Sequence, residues 1–326
     1  MCPIVTVDTP QSRSVVVDGC APLMSKPGAW RGWMVGGVDL AVPTVATHEN
    51  PGEALKRVGE WRRWMAEEDG VFHVASPTDL DLLGRGRLGV AFHFQDTAPL
   101  GENLNLVEAY RDLGVRMIQL TYNDRNAVGG GCMDLHDGGL TAFGRELIGA
   151  MNQLGIVVDL SHGGDRTTLE AIEASSAPAV FSHSNVRRLF NHPRNITDRQ
   201  IRAVAEGGGL VGVNAVASFL RTDGKLSTLS DLLDHIDCLV EMIGADHVCL
   251  GLDFWSGPEV DFEEWNRTGR WSSDDLSGFV DWPTDISGPG HFPRLREGLA
   301  SRGHSTEDIA AIMGDNWARL FRRLWT

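Results

Sequence analysis

An α/β fold built as one closed parallel barrel of the (β/α)8, TIM type is what the sequence predicts, on three observations. Eight apolar runs of strand length recur along the chain, helical patterns separate most of them, and the residues closing the runs are far more polar than the runs themselves. The runs are "SVVVDGC" (14–20), "GGVDLAVPTVA" (36–46), "RLGVAFHFQ" (87–95), "VRMIQLTY" (115–122), "GIVVDLSH" (155–162), "APAVFSHS" (177–184), "LVGVNAV" (210–216) and "HVCLGLDF" (247–254). Each is followed by polar or glycine-rich residues, as a strand leaving a core should be.

The intervening segments carry helical patterns over 51–70, 103–114, 139–155, 165–176, 197–209, 229–245 and 305–325. The segment from 165 opens on Asp with Glu further in, and that from 305 opens on Ser-x-x-Asp, both helix-start chemistry. A doubly wound open sheet is the alternative architecture. It fits less well, because no G-x-G-x-x-G follows the first strand, and "VGGGC" (128–132) lacks the Lys-Ser/Thr of a phosphate loop. No domain boundary is evident, so residues 1–326 read as a single domain. The one long irregular stretch, 255–290, contains Trp255, Trp265, Trp271 and Trp282. It reads either as a lid or binding loop or as an insertion with its own small core.

The 44 acidic and 29 basic residues give a formal charge of −15, which argues against nucleic acid or an anionic membrane as partner. Five scattered cysteines without a CxxC read as reduced thiols. The N-terminus has no basic-then-apolar signal pattern, and no apolar run reaches membrane-spanning length. A cytoplasmic protein acting on a small molecule is the expectation.

In a parallel barrel the C-terminal strand ends meet at one mouth, where chemistry sits. Those ends supply Cys20, Gln95, Tyr122, His162, His183, Asn214 and Asp253. His162 and His183 close neighbouring strands in two Ser-His endings. Two imidazoles on separate rigid strands suit a zinc ion, and Asp253 could accept a proton there. The competing reading is two histidines that merely cap strands with hydrogen bonds. His93, two residues before Gln95, faces the same side and could stand behind the ligands.

The stretch 158–214, with its ordered Ser-His, Ser-His-Ser-Asn and His-Pro-Arg-Asn, resembles the membrane (renal) dipeptidase family of zinc peptidases (peptidase family M19). The likeness continues through "LGVRMIQLTYNDRN" (113–126), "GADHVCLGLDF" (244–254) and "IMGDNWARLF" (312–321). The resemblance implies a metal-dependent hydrolase-like (β/α)8 barrel that cleaves dipeptides with two zinc ions bridged by a glutamate. It implies that His162 and His183 ligate metal, that Arg194 grips the substrate carboxylate, and that Asp253 is the acid/base. It also makes a homodimer an option.

Four positions depart from the family pattern. The His-x-Asp of the first strand becomes Cys20 and Pro22, the bridging glutamate becomes Gln95, and the histidine after strand four becomes Tyr122. Two adjacent dications need anionic ligands to offset their repulsion. One zinc ion is therefore expected, on His162 and His183, with Cys20 as a thiolate ligand or else a small space-filler, and Gln95 as a weak neutral donor. Tyr122 could donate to a developing oxyanion, and Asn214 could contact substrate. A hydrolase of a dipeptide or related amide with a free carboxylate is the expected function. The alternatives are a non-hydrolytic tailoring enzyme of a biosynthetic pathway using Cys20 and Tyr122, and an inactive ligand-binding homologue.

Overall fold

The computed structural model describes residues 14–22, 29–221, 226–254 and 282–325. Strand β1 (Val17–Asp18) pairs with β2 (Leu40–Ala41), and β2 with β5 (Leu88–Val90), whose other edge carries β4 (Val71–His73). β3 (Thr44–Ala46) prolongs β2, and β6 (Phe92–Phe94) prolongs β5. From β6 the order runs through β7 (Val115–Gln119), β8 (Val157–Asp159), β9 (Val180–Phe181) and β10 (Leu210–Val213) to β11 (Val248–Leu250). All these pairs are parallel.

Setting β4 aside and taking β2–β3 and β5–β6 as one stave each leaves eight staves, one inside each predicted run. The ring closes through the backbone. Gly19 N–H donates to Leu250 O at 2.9 Å, and Asp253 N–H donates to Cys20 O at 3.0 Å. The buried Asp18 carboxylate ties the same seam, accepting from Leu252 N–H at 3.0 Å and from Trp33 Nε1 at 2.8 Å. The staves are short and buried on both faces, as parallel strands wrapped by helices must be.

Helices at Pro51–Glu67, Asn105–Asp112, Ala142–Gln153, Asp165–Ala174, Asp198–Glu206 and Leu229–Ile243 follow the expected order. Asn50 caps the first by accepting from Gly52 and Glu53 N–H, while Glu53 reaches back to Asn50 N–H. The final segment differs from the expectation of one helix over 305–325. It divides into Thr306–Ala310 and Asn316–Leu324 around a wide turn at 311–315. The cause is contact with the first stave. Asp315 Oδ1 accepts from Val15 N–H at 2.9 Å, and a Cβ on Gly314 would lie 2.4 Å from Val15 O. A helix at Phe292–Ser301 and strand β4 are additional to the predicted elements.

Residues 255–281, most of the candidate lid, lie outside the described residues. Trp282 is described: its ring is 5.0 Å from that of Phe254 and packs against a small cluster of Tyr122, Val216 and Phe219. No helix among the described residues is long and apolar enough to cross a membrane.

Candidate active site at the barrel mouth

Three residues just past stave ends adopt left-handed backbone: Asn123 (φ 61°), His162 (φ 63°) and Asp253 (φ 62°). This conformation costs a non-glycine residue roughly 1–2 kcal/mol and persists only where the surroundings impose it. All three side chains belong to one contact network.

His162 Nε2 lies 3.0 Å from His183 Nε2, so the two rings meet edge to edge across the mouth. His162 Nδ1 faces Asn123 Oδ1 at 2.6 Å, and the Tyr122 ring stacks on His162 with centroids 4.1 Å apart. Cys20, His183 and Asp253 form a buried set in which one candidate ligand atom from each lies within 4.8 Å of the others. Cys20 Sγ sits 3.5 Å from Asp253 Oδ1 and receives Gln95 Nε2–H at 3.1 Å. Asn214 Nδ2 donates to Asp253 Oδ2 at 3.1 Å, while Asn214 Oδ1 accepts from Val216 N–H at 2.6 Å. Arg194 Nη2 donates to His183 O at 3.0 Å, and its guanidinium lies 5.5 Å from the Phe219 ring centroid. Cys20, Gln95, Tyr122, His162, His183, Arg194, Asn214 and Asp253 thus join one connected group.

Burial governs the charge of the group. It pushes the Cys20 thiol well above its usual range, helped by the nearby Asp253 and Asp18 carboxylates. It raises Asp253 to about 6. It lowers both His162 and His183 well below the usual imidazole range, and the Arg194 charge adds to this. Two neutral imidazoles beside a thiol and a carboxylate are a donor set for a borderline-soft divalent ion such as zinc. At the same mouth Gln95 presents an amide N–H to Cys20, and Pro22 offers no side-chain donor.

Sequence reasoning left Asp159, Ser161, Ser182, Asn123 and Asp18 without roles. Asp159 Oδ1 accepts from Ser161 and Ser182 N–H at 3.0 Å each, Oδ2 accepts from Ser182 Oγ at 2.6 Å, and His93 Nε2 is 3.1 Å from Oδ2. Burial opposes charge on Asp159, but the His93 imidazole, His183 and the Ser182 hydroxyl outweigh it and hold the carboxyl well below the usual range. The signal was present: the two Ser-His endings put a serine beside each histidine, and Asp159 stands three residues before His162.

The membrane dipeptidase (peptidase family M19) sequence profile matches residues 35–270, well over half of the chain. The chain belongs to that family. A curated relative, an uncharacterized protein from Klebsiella pneumoniae, is 33% identical over 234 residues, covering 69% of this chain and 78% of its own. An uncharacterized dipeptidase of Schizosaccharomyces pombe is 32% identical over 247 residues, 73% of this chain. A Claviceps purpurea dipeptidase, tcpJ, is 28% identical over 228 residues, 69% of this chain. The chain spans about half the length of those two dipeptidases, 53% and 48%. Among solved structures, an amidohydrolase from Pseudomonas aeruginosa superposes with TM-score 0.90 at 33% identity, covering 96% of this chain and 97% of the other. A Rhodobacter sphaeroides metallopeptidase, solved with a phosphinate mimic of L-Ala-D-Ala, shares the fold with TM-score 0.79 at 22% identity, over 95% and 99% of the two chains. The member of the dipeptidase family described here has the barrel and the sequence of a dipeptidase-like, metal-dependent hydrolase.

Proposed function

We propose that this protein hydrolyses a dipeptide, or a related amide with a free carboxylate, using one zinc ion. The observation carrying the proposal is the buried convergence of Cys20, His183 and Asp253, with His162 Nε2 meeting His183 Nε2 at 3.0 Å. His162, His183 and Cys20 would hold the ion, with Gln95 as a weak neutral donor. When bound, zinc supplies Lewis acidity toward a carbonyl and toward water.

The chain's own groups supply the rest. Asp253, held at about 6 by burial, takes a proton from the attacking water and returns it to the leaving amine. Asn214 fixes the Asp253 carboxylate for that task through the 3.1 Å bond to Oδ2. Tyr122, anchored on the His162 ring, donates its hydroxyl to the oxyanion. Arg194 binds the substrate carboxylate. Arg194 is 2% exposed, and its buried Nε has no hydrogen-bond partner among the described residues. The apolar cluster of Tyr122, Val216 and Phe219, with Met133 and Trp282 packed on it, favours an apolar or aromatic side chain on the substrate.

The test is metal content by mass spectrometry combined with a screen of L,L- and L,D-dipeptides. One zinc per chain, and hydrolysis that stops on chelation and returns with zinc, are expected. A zinc-loaded chain that turns over no dipeptide or amide, or that carries two ions, overturns the proposal.

A further inference from the structure

We infer that Asp159 and Ser182 form a buried relay that holds the proton of His183 on Nδ1, so that its Nε2 lone pair is presented to the mouth. This rests on the zinc-site reading above and adds three positioning residues to it: Asp159, Ser182 and Ser161.

Asp159 Oδ1 accepts two backbone N–H groups, from Ser161 and Ser182 at 3.0 Å each. Asp159 Oδ2 is faced by the Ser182 hydroxyl at 2.6 Å and by His93 Nε2 at 3.1 Å. An oxygen pair so surrounded is an acceptor throughout. The single hydroxyl proton of Ser182 therefore goes to Asp159. What remains on Ser182 Oγ is lone pairs, and one of them faces His183 Nδ1 at 2.6 Å. A contact this short between two electron-rich atoms requires a proton, which Nδ1 must carry.

Ser161 supports the same arrangement. Its Oγ accepts from His183 N–H at 3.1 Å, and its own proton is free to point to Ser182 Oγ, 3.3 Å away. The serines of both Ser-His endings thus converge on one carboxylate lying beneath one ligand. A neutral imidazole with Nδ1–H has its lone pair on Nε2, and that atom is the one 3.0 Å from His162. Across the gap, His162 Nδ1 faces the Asn123 carbonyl oxygen at 2.6 Å, which commits its proton in the same way. Two lone pairs then confront each other, and both would be available to hold a cation. The relay makes the mouth a cation receptor before any cation arrives, the role carboxylate partners play behind metal-binding histidines.

The test uses the full chain with 15N-labelled histidine, His183 being assigned by its loss in His183→Asn. Long-range 1H–15N spectra of metal-free wild type, Ser182→Ala and Ser182→Thr read the tautomer, and competition with a chromophoric chelator reads zinc affinity. In wild type the His183 proton is expected on Nδ1. In Ser182→Ala it should move to Nε2, where it can bond His162, with zinc affinity falling about 10- to 100-fold. Ser182→Thr should restore both. A wild-type proton on Nε2, or a Ser182→Ala variant with unchanged tautomer or unchanged zinc affinity, overturns the relay. Because the tautomer is read without metal, a wild type that failed to bind zinc would refute the zinc-site reading while leaving the relay to be decided by the spectra.

Discussion

Two residues carry sharp expectations of their own. Arg194→Lys keeps the charge but loses the planar fork. It should lower kcat/KM about 10- to 100-fold on dipeptides with a free carboxylate, and the deficit should vanish on amide-capped substrates. A uniform loss on both would show that Arg194 only supports the barrel. His73, far from the mouth on β4, tests burial instead. Its ring lies 4.4 Å from that of Phe92, and burial lowers it from 6.5 to about 4. A histidine kept neutral in the fold binds fewer protons than the unfolded chain between pH 6.5 and 4. Stability should therefore be full above pH 6.5 and fall by about 3 kcal/mol as pH drops through that window. Urea denaturation at pH 7.5 and 4.5 should show a smaller drop in His73→Phe.

Among the elements, stave β9 is held closely by glycines of its neighbours. A Cβ on Gly212 or on Gly251 would lie 2.0 or 1.9 Å from Ser182 O, so the bare backbones of β10 and of the turn after β11 fit against the residue that precedes His183. Gly251→Ala must displace that carbonyl. It should cost about 1–3 kcal/mol in unfolding free energy, and calorimetric titration should show weaker zinc binding, since His183 moves with Ser182. The staves and helices were legible because seven of the eight apolar runs ended in a mouth residue able to hydrogen-bond or ligate, the run 36–46 being the exception. Less legible were elements fixed by contacts distant in sequence. The last helix is broken by its contact with Val15, and the helix at Phe292–Ser301 follows a stretch read as irregular. At the site, ligand candidates could be read from strand ends. Asp159 and Ser182 could not be assigned from position alone, because what defines them is which of the two donates and which accepts, and that needs distances.

At the scale of the whole molecule, zinc should act as a stabiliser. An ion at a hundred times its Kd adds about 2.7 kcal/mol to folding. Thermal melting with zinc and with chelator should separate by several degrees, and Cys20→Ala should shrink the gap. If the melting curves coincide, zinc does not bind the native barrel. The barrel's closure decides when the centre is complete. Cys20 and Asp253 are 233 residues apart in the chain, yet they touch across the seam where the last stave meets the first. A ribosome-bound chain lacking its final third would carry Cys20, His162 and His183 but not Asp253. The acid/base carboxylate therefore joins the mouth only when the last stave is laid against the first, so turnover, rather than metal uptake, would report completed folding.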